Sequence, residues 1–396
     1  MSTLPDIFIF IGNRIRVVLN PTLKKELIKF VDSSNSSIKE ICESIDIDYT
    51  TLWDYLNRRE AIPLDFFFKI KKIYGYDLSQ YFEYLESGSL RKRVKIINNL
   101  SADLAKILGA HVADGHMRVR TTKFKENDKA KHYELILREE YESNINSFCN
   151  WFNNVFDFGL NYKKEKNHFS TYVSNKIILL YFNKIFNIPL GRKTEIIKIP
   201  QKIKSSNINI KKSFLVGLFM FDGSVDYTTG YISLVSKSRK LIEETAEMLD
   251  EINLEPDYVN LKPDVFGRYK LIMRKKEKLK GGLILFEKNT EKWYRLYEHI
   301  YGFKQFTNNL NGLISDFDKY YPNKRNTALS FGDILKIIPG NKSFDISFMK
   351  ERLNRRKTSV YAYLRKLENW KILSTIRIRN RKIYKLNEKL PNIWRK

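Results

Sequence analysis

Cysteine is nearly absent from this chain, with two in 396 residues. Cys42 and Cys149 stand far apart inside apolar patterns, which excludes a disulfide framework or a cysteine-rich zinc cluster and reads both as core thiols. Long hydrophobic runs are missing too, and without about 18 consecutive apolar residues no transmembrane helix is expected. The opening MSTLPDIFIFIG lacks the basic start and long apolar stretch of a secretory signal, so an intracellular location, cytoplasmic and nucleoid-associated, is expected. Acidic charge is the last shortage: 45 Asp and Glu face 71 Lys and Arg, a net charge of +26. An excess of this size calls for a polyanionic partner. Double-stranded DNA fits, because every neutralised phosphate releases condensed counterions.

At roughly 150 residues per domain the length predicts two or three units. From Thr22 to about Ser79 the spacing is helical, with a polar break between SIKEICESI and YTTLWDYLN. Ile38, Ile41, Cys42 and Ile45 share one face of the first helix, and Leu52 and Leu56 one face of the second, a helix-turn-helix pattern. Tyr49, Thr50, Thr51, Asp54 and Arg58 fall outward, and Thr50 and Arg58 are candidate DNA contacts. Asp46, Asp48 and Asp54 make that surface less welcoming to phosphate, so packing against the rest of the protein is the alternative role. Ahead of this unit IFIFIGNRIRVVL alternates around Gly12-Asn13 as a hairpin would, and after it LESGSLRKRVK reads as a linker. A second break falls at DKYYPNKRNTA.

Beyond that break, residues 328–396 carry 18 Lys or Arg against 5 Asp or Glu, half the surplus of the whole chain. Three helical stretches precede two alternating runs, ILSTIRI and KIYKLN, an order similar to a winged helix. In the third helix Val360, Leu364 and Leu367 share a face, which leaves Thr358, Tyr361, Arg365 and Lys366 outward as candidate groove readers. Arg377, Arg379 and Arg381 would lie in the wing.

The middle of the chain holds a repeated arrangement. LAKILGAHVADGHM ends an uncharged run on Asp114-Gly115, and SFLVGLFMFDGSV does the same on Asp222-Gly223, 108 residues later. Ile107, Gly109, Asp114 and Gly115 fall opposite Leu215, Gly217, Asp222 and Gly223, and matching strand and helix patterns follow each copy. This predicts an internal duplication with two α+β halves. Two helices packed through small residues can bring their C-terminal ends together, and each then delivers one carboxylate to a pseudo-twofold axis. Paired carboxylates are stable mainly with cations between them, and Mg²⁺ (or Mn²⁺) suits hard oxygen ligands. An acid is otherwise disfavoured at a helix C-terminus by the helix dipole. His111 and His116 read as structural or DNA-facing, and Trp151, Phe152, Phe156 and Phe158 as core.

On these residues the middle segment, from about Leu100 to Phe317, resembles the LAGLIDADG (DOD-type) homing endonucleases in their single-chain, two-motif form. The resemblance implies that Asp114 and Asp222 bind the catalytic metal and that Lys193, in PLGRKTE, and Lys304, in YGFKQFT, are active-site lysines. It further places Glu139 and Lys237 on the second strands, near metal-ordered water and DNA. Val112 and Met220 replace the earlier motif acid, and Phe221 occupies a place usually small.

The expected fold class is therefore α+β, a pseudo-twofold duplicated core of αββαββα halves. Flanking it are a mostly helical N-terminal domain and a C-terminal winged helix. The expected domains are 1–86, 95–318 (halves about 95–205 and 206–318) and 328–396. The expected function is site-specific double-strand DNA cleavage by a monomer, the chemistry of intron or intein mobility. The alternatives are a transcription regulator keeping a non-cleaving core, or an RNA maturase. Protein splicing itself is not expected, since the chain neither opens on Cys or Ser nor ends in His-Asn.

Overall fold

The computed structural model describes residues 15–34, 36–87, 92–125, 128–226, 230–288, 290–301, 331–339, 342–355, 357–369, 372–378 and 381–387. The hairpin expected around Gly12-Asn13 and the break at 318–328 lie outside them. The chain divides into two compact units, the first made of residues 1–222, 235–253 and 260–270, the second of 223–234, 254–259 and 271–396.

In the first unit four helices, α1 (Pro21–Ser33), α2 (Ile38–Ile45), α3 (Tyr49–Asn57) and α4 (Leu64–Tyr74), accompany a sheet of order β2-β1-β3-β4. Its strands are β1 (Ile15–Val18), β2 (Ala61–Pro63), β3 (Tyr84–Ser87) and β4 (Lys92–Lys95). Ser37 and Glu40 close a capping box at the start of α2, fixing where that helix begins. Ile41, Cys42, Ile45 and Leu52 are buried as their spacing predicts, but Ile38 is 42% exposed because it sits in the first turn, ahead of the buried stripe. The two ends of the segment read as a linker are instead paired strands: Tyr84 lies opposite Lys95 and Leu85 opposite Val94, with both apolar members buried.

Next come α5 (Ala102–Ala113), β5 (His116–Lys125), β6 (Asp128–Glu139), α6 (Glu142–Phe156), β7 (Tyr162–Lys164), β8 (Phe169–Ser174) and a helical stretch over Lys176–Ile185. A second pass gives α7 (Ile208–Phe221), β9 (Ser224–Val225), β10 (Ile232–Ser236), α8 (Arg239–Glu251), β11 (Tyr258–Asn260) and β12 (Tyr269–Met273), followed by helices. The sheets have orders β5-β6-β8-β7 and β9-β10-β12-β11, one topology used twice. Ser101 caps α5 by accepting from the Leu104 amide, and Asn207 caps α7 by accepting from Asn209 and Ile210. Trp151, Phe152 and Phe156 are core, as expected, while Phe158 is half-buried under the Lys92 ammonium.

The second unit contains α9 (Glu291–Tyr301), α10 (Phe331–Ile337), α11 (Ile346–Leu353) and α12 (Lys357–Asn369). Its last strands, β13 (Phe344–Asp345), β14 (Leu373–Ile378) and β15 (Arg381–Leu386), form a sheet of order β13-β15-β14. Val360, Leu364 and Leu367 join Ile334, Met349 and Tyr384 in a core local to residues 334–386.

Candidate active site

The site is built on the contact between α5 and α7. A Cβ on Gly109 would overlap the Phe214 carbonyl oxygen, and one on Gly217 would overlap the Lys106 carbonyl oxygen. Backbone touches backbone, which only glycine permits. Phe221 does not loosen this crossing: it is buried and meets Phe148 edge-on at 6.1 Å. The Asn144 side-chain amide donates to the Met220 carbonyl at 2.8 Å, tying α6 to the last turn of α7.

Each helix ends on its acid. Asp114 is the C-cap of α5 and Asp222 the C-cap of α7. Both line one cleft, together with His116, Arg192, Lys193, Thr194, Ser236, Lys237 and Arg268. Four of the residues singled out in the sequence, Asp114, Asp222, Lys193 and Lys237, thus come together in one place. Sequence reasoning missed Arg268, which reaches the cleft from the turn between β11 and β12; the turn-forming residues of PDVFGR were the available signal.

Lys193 does more than stand near the acids. Its ammonium donates to the carbonyls of Val112 (2.7 Å) and Ala113 (3.2 Å) and to that of His111, closing the C-terminal end of α5. Burial pushes its pKa down to about 8, against the opposing pull of Asp114 and Asp222. The loop that carries it is pinned further on: the Ile199 amide and the Lys204 ammonium both donate to buried Glu244 on α8, at 2.8 and 2.7 Å. Behind the cleft His111 is fully buried, with its ring against Gly115 and edge-on to Phe182 at 5.5 Å. Burial, with the charges of Lys193 and His116 adding to it, holds its pKa well below the ordinary histidine value.

Among the described residues no three His, Cys, Asp or Glu side chains cluster to enclose a metal. Two carboxylates in an open cleft match what Mg²⁺ takes, one or two protein oxygens and several waters. Glu139 does not join them. It shares the buried strand face of Leu135 and Leu137 and accepts from the Tyr141 amide at 2.9 Å.

The opposite face of this sheet is basic. Arg118 and Arg120 reach the same buried carboxylate, Glu134, at 2.5 and 3.3 Å. Burial disfavours the Glu134 charge, but hydrogen bonds from Arg118 and Tyr172 and the two guanidinium charges outweigh it and hold the pKa low.

The remaining candidate DNA contacts lie elsewhere. On α3 Thr50 is exposed and Arg58, just beyond that helix, stacks its guanidinium 4.6 Å over Trp53. In the second unit Thr358, Tyr361, Arg365, Arg377 and Arg381 are exposed and Lys366 is half-buried. Lys304 and Arg379 fall outside the described residues.

The family model for the LAGLIDADG-like domain matches residues 209–280. The chain therefore carries a LAGLIDADG-like domain, in a mixed helix and antiparallel-sheet fold. Among solved structures it is similar to mesophilic variants of the homing endonuclease I-DmoI, with 19% identity and TM-score 0.38, covering 48% of this chain and 99% of that one. Meganuclease I-SmaMI bound to uncleavable DNA is similar at 13% identity and TM-score 0.35, covering 49% and 88%. An A-type ATP synthase protein of Pyrococcus abyssi is 26% identical over 149 residues, 38% of this chain but 13% of that protein. No helix among the described residues is long and apolar enough to cross a membrane.

Proposed function

We propose that this protein is a site-specific, double-stranded DNA endonuclease that hydrolyses phosphodiester bonds with divalent metal held at Asp114 and Asp222. The observation that carries this reading is the glycine-mediated contact of α5 and α7, which brings two C-cap carboxylates into one cleft. Carboxylates there oppose the helix dipole, and two acids beside the single Lys193 ammonium still suit a divalent cation. Mg²⁺ or Mn²⁺, when bound, would polarise the scissile phosphate and lower the pKa of attacking water.

This chain's own residues do the rest. Asp114 and Asp222 would hold the cation, Lys193 neutralises the end of α5 and orients the turn that presents Asp114, and Lys237 offers positive charge to the phosphate. Arg118 and Arg120, pre-set by Glu134, meet the duplex along the sheet of the first half. We further propose three functional domains, 1–86, 95–318 and 328–396, the last a winged-helix-like DNA-binding module, acting together as a monomer.

The test is cleavage of a randomised duplex library by the full chain with Mg²⁺. Recovery of one discrete double-strand cut, lost in both Asp114→Asn and Asp222→Asn, is expected. A duplex that is bound selectively but never cut would make the protein a DNA-binding regulator, and no selective binding would refute the reading.

A further inference from the structure

The turn between β11 and β12 presents apolar side chains to solvent. Val265 is 94% exposed and Phe266 65%. This is a built turn: Asp264 accepts from the amides of Phe266 and Arg268, both at 2.9 Å, and from the Arg268 Nε at 2.9 Å. The Gly267 amide closes back on the Asp264 carbonyl at 2.8 Å, with Gly267 in the left-handed region at φ 71°. Arg268 stacks its guanidinium 4.7 Å from the centre of the Phe266 ring and itself lines the cleft that holds Asp114 and Asp222. The equivalent turn of the first half, between β7 and β8, is polar, with Glu165 paired to His168 at 3.0 Å.

Resting on the nuclease reading above, we propose that Val265 and Phe266 form a wedge that enters the stack of the bound duplex beside the scissile phosphate, opening one base step. Two side chains are far too little for a protein interface, which needs ~800 Å² from each partner. They match what parts a base step: a small apolar group on a turn stiffened by the Asp264 hydrogen bonds, beside a cleft that holds Lys193 and Lys237, which unstacks neighbouring pairs and kinks the helix. Reach agrees as well. Phe266 lies two residues from Arg268, at most about 7 Å along the chain, so the opened step falls within two or three base pairs of the phosphate in the cleft. The wedge belongs to the second half only, so the kink would be off-centre.

The experiment uses the full chain and a duplex captured from a randomised library, with 2-aminopurine placed at each position across the bound site in turn. Wild type should raise fluorescence several-fold at one step within three base pairs of the centre. The double variant Val265→Ser, Phe266→Ser should lose that signal and bind about tenfold more weakly, since it no longer offsets the cost of unstacking. A mismatch placed at the opened step should restore the variant to within about threefold of wild type, because the DNA is then already loosened. Both substitutions are at exposed positions, and an unchanged melting temperature would verify the fold. If a duplex is captured but no step lights up, or the variant keeps signal and affinity, the wedge is overturned and the DNA-binding reading survives. If no duplex is captured, both fall.

Discussion

At the scale of single residues the cleft is a place of unfavourable charge held in check. Asp114 and Asp222 cap helices at their negative ends and both attract the buried Lys193 ammonium, so removing either charge should remove cleavage. Asp114→Asn is expected to lose cleavage and to leave duplex affinity near wild type; a variant that cuts a confirmed target at wild-type rate would show that the acid is not a metal ligand. Lys193 needs a different substitution from a simple truncation. Its ammonium satisfies carbonyls of α5, so Lys193→Ala should cost stability as well as rate, whereas Lys193→Arg should recover stability before activity. Denaturant midpoints beside single-turnover rates for the two variants check this, and equal stability of Ala and wild type would refute the capping role. His111 sets an acid limit. Its folded pKa lies well below the value of about 6.5 that it takes when unfolded, so the unfolded chain binds more protons between the two. Its stabilising share is complete above about pH 6.5 and declines by up to about 1.4 kcal/mol per pH unit below it. His111→Met should flatten the stability profile between pH 7 and pH 5, measured by denaturant titration against wild type. A slope unchanged by the substitution would assign the acid sensitivity elsewhere. That Asp114 and Asp222 would meet was legible because their motif recurs in a duplicated pattern, whereas Lys193 was reached only through the family resemblance. The hydrogen-bonded end of α5 was not legible, because a helix cap supplied from 80 residues downstream leaves no local spacing to read.

At the scale of elements, the α5–α7 crossing decides whether the site exists. A methyl group at Gly109 or Gly217 would press on backbone atoms of the other helix, which cannot rotate away as a side chain does. Gly217→Ala should therefore cost about 1–3 kcal/mol or more and part the two carboxylates. Unfolding midpoints read the first effect and metal titration followed by calorimetry the second; a variant as stable as wild type, with unchanged metal affinity, would mean that the helices do not meet as described. This contact was readable in advance because close approach of two backbones demands glycine at matched positions. Glu139 was misplaced because alternate strand residues point to opposite faces, and it falls on the buried face with Leu135 and Leu137. The linker reading failed for a related reason: the pairing of β3 with β4 decides the matter, and the composition of the segment does not reveal that pairing. The Val265-Phe266 tip was invisible to sequence patterning because two apolar residues in a turn look like core until their exposure is known.

At the scale of the whole molecule the question is what the surplus of positive charge does. Half of it lies in residues 328–396, where Arg365 on α12 and Arg377 and Arg381 on the last two strands are exposed. Attraction to phosphate and reading of bases predict different things for these residues. Each phosphate contact contributes about 0.9 to the slope of log affinity against log salt, so the triple variant Arg365→Ala, Arg377→Ala, Arg381→Ala should flatten the slope by nearly 3 if all three touch phosphates. Reading requires that a guanidinium reach a base edge, and α12 is the helix that exposes Arg365 together with Thr358 and Tyr361. Arg365→Ala alone should then lower the preference for target over random duplex by about 1–3 kcal/mol, while Arg377→Ala weakens both duplexes alike. The fold should survive all three changes, because these exposed side chains lie outside the local core of Val360, Leu364 and Leu367. Titrations of target and random duplex at several salt concentrations separate the outcomes. An unchanged slope in the triple variant would remove this module from the DNA interface and require another polyanion to account for its charge.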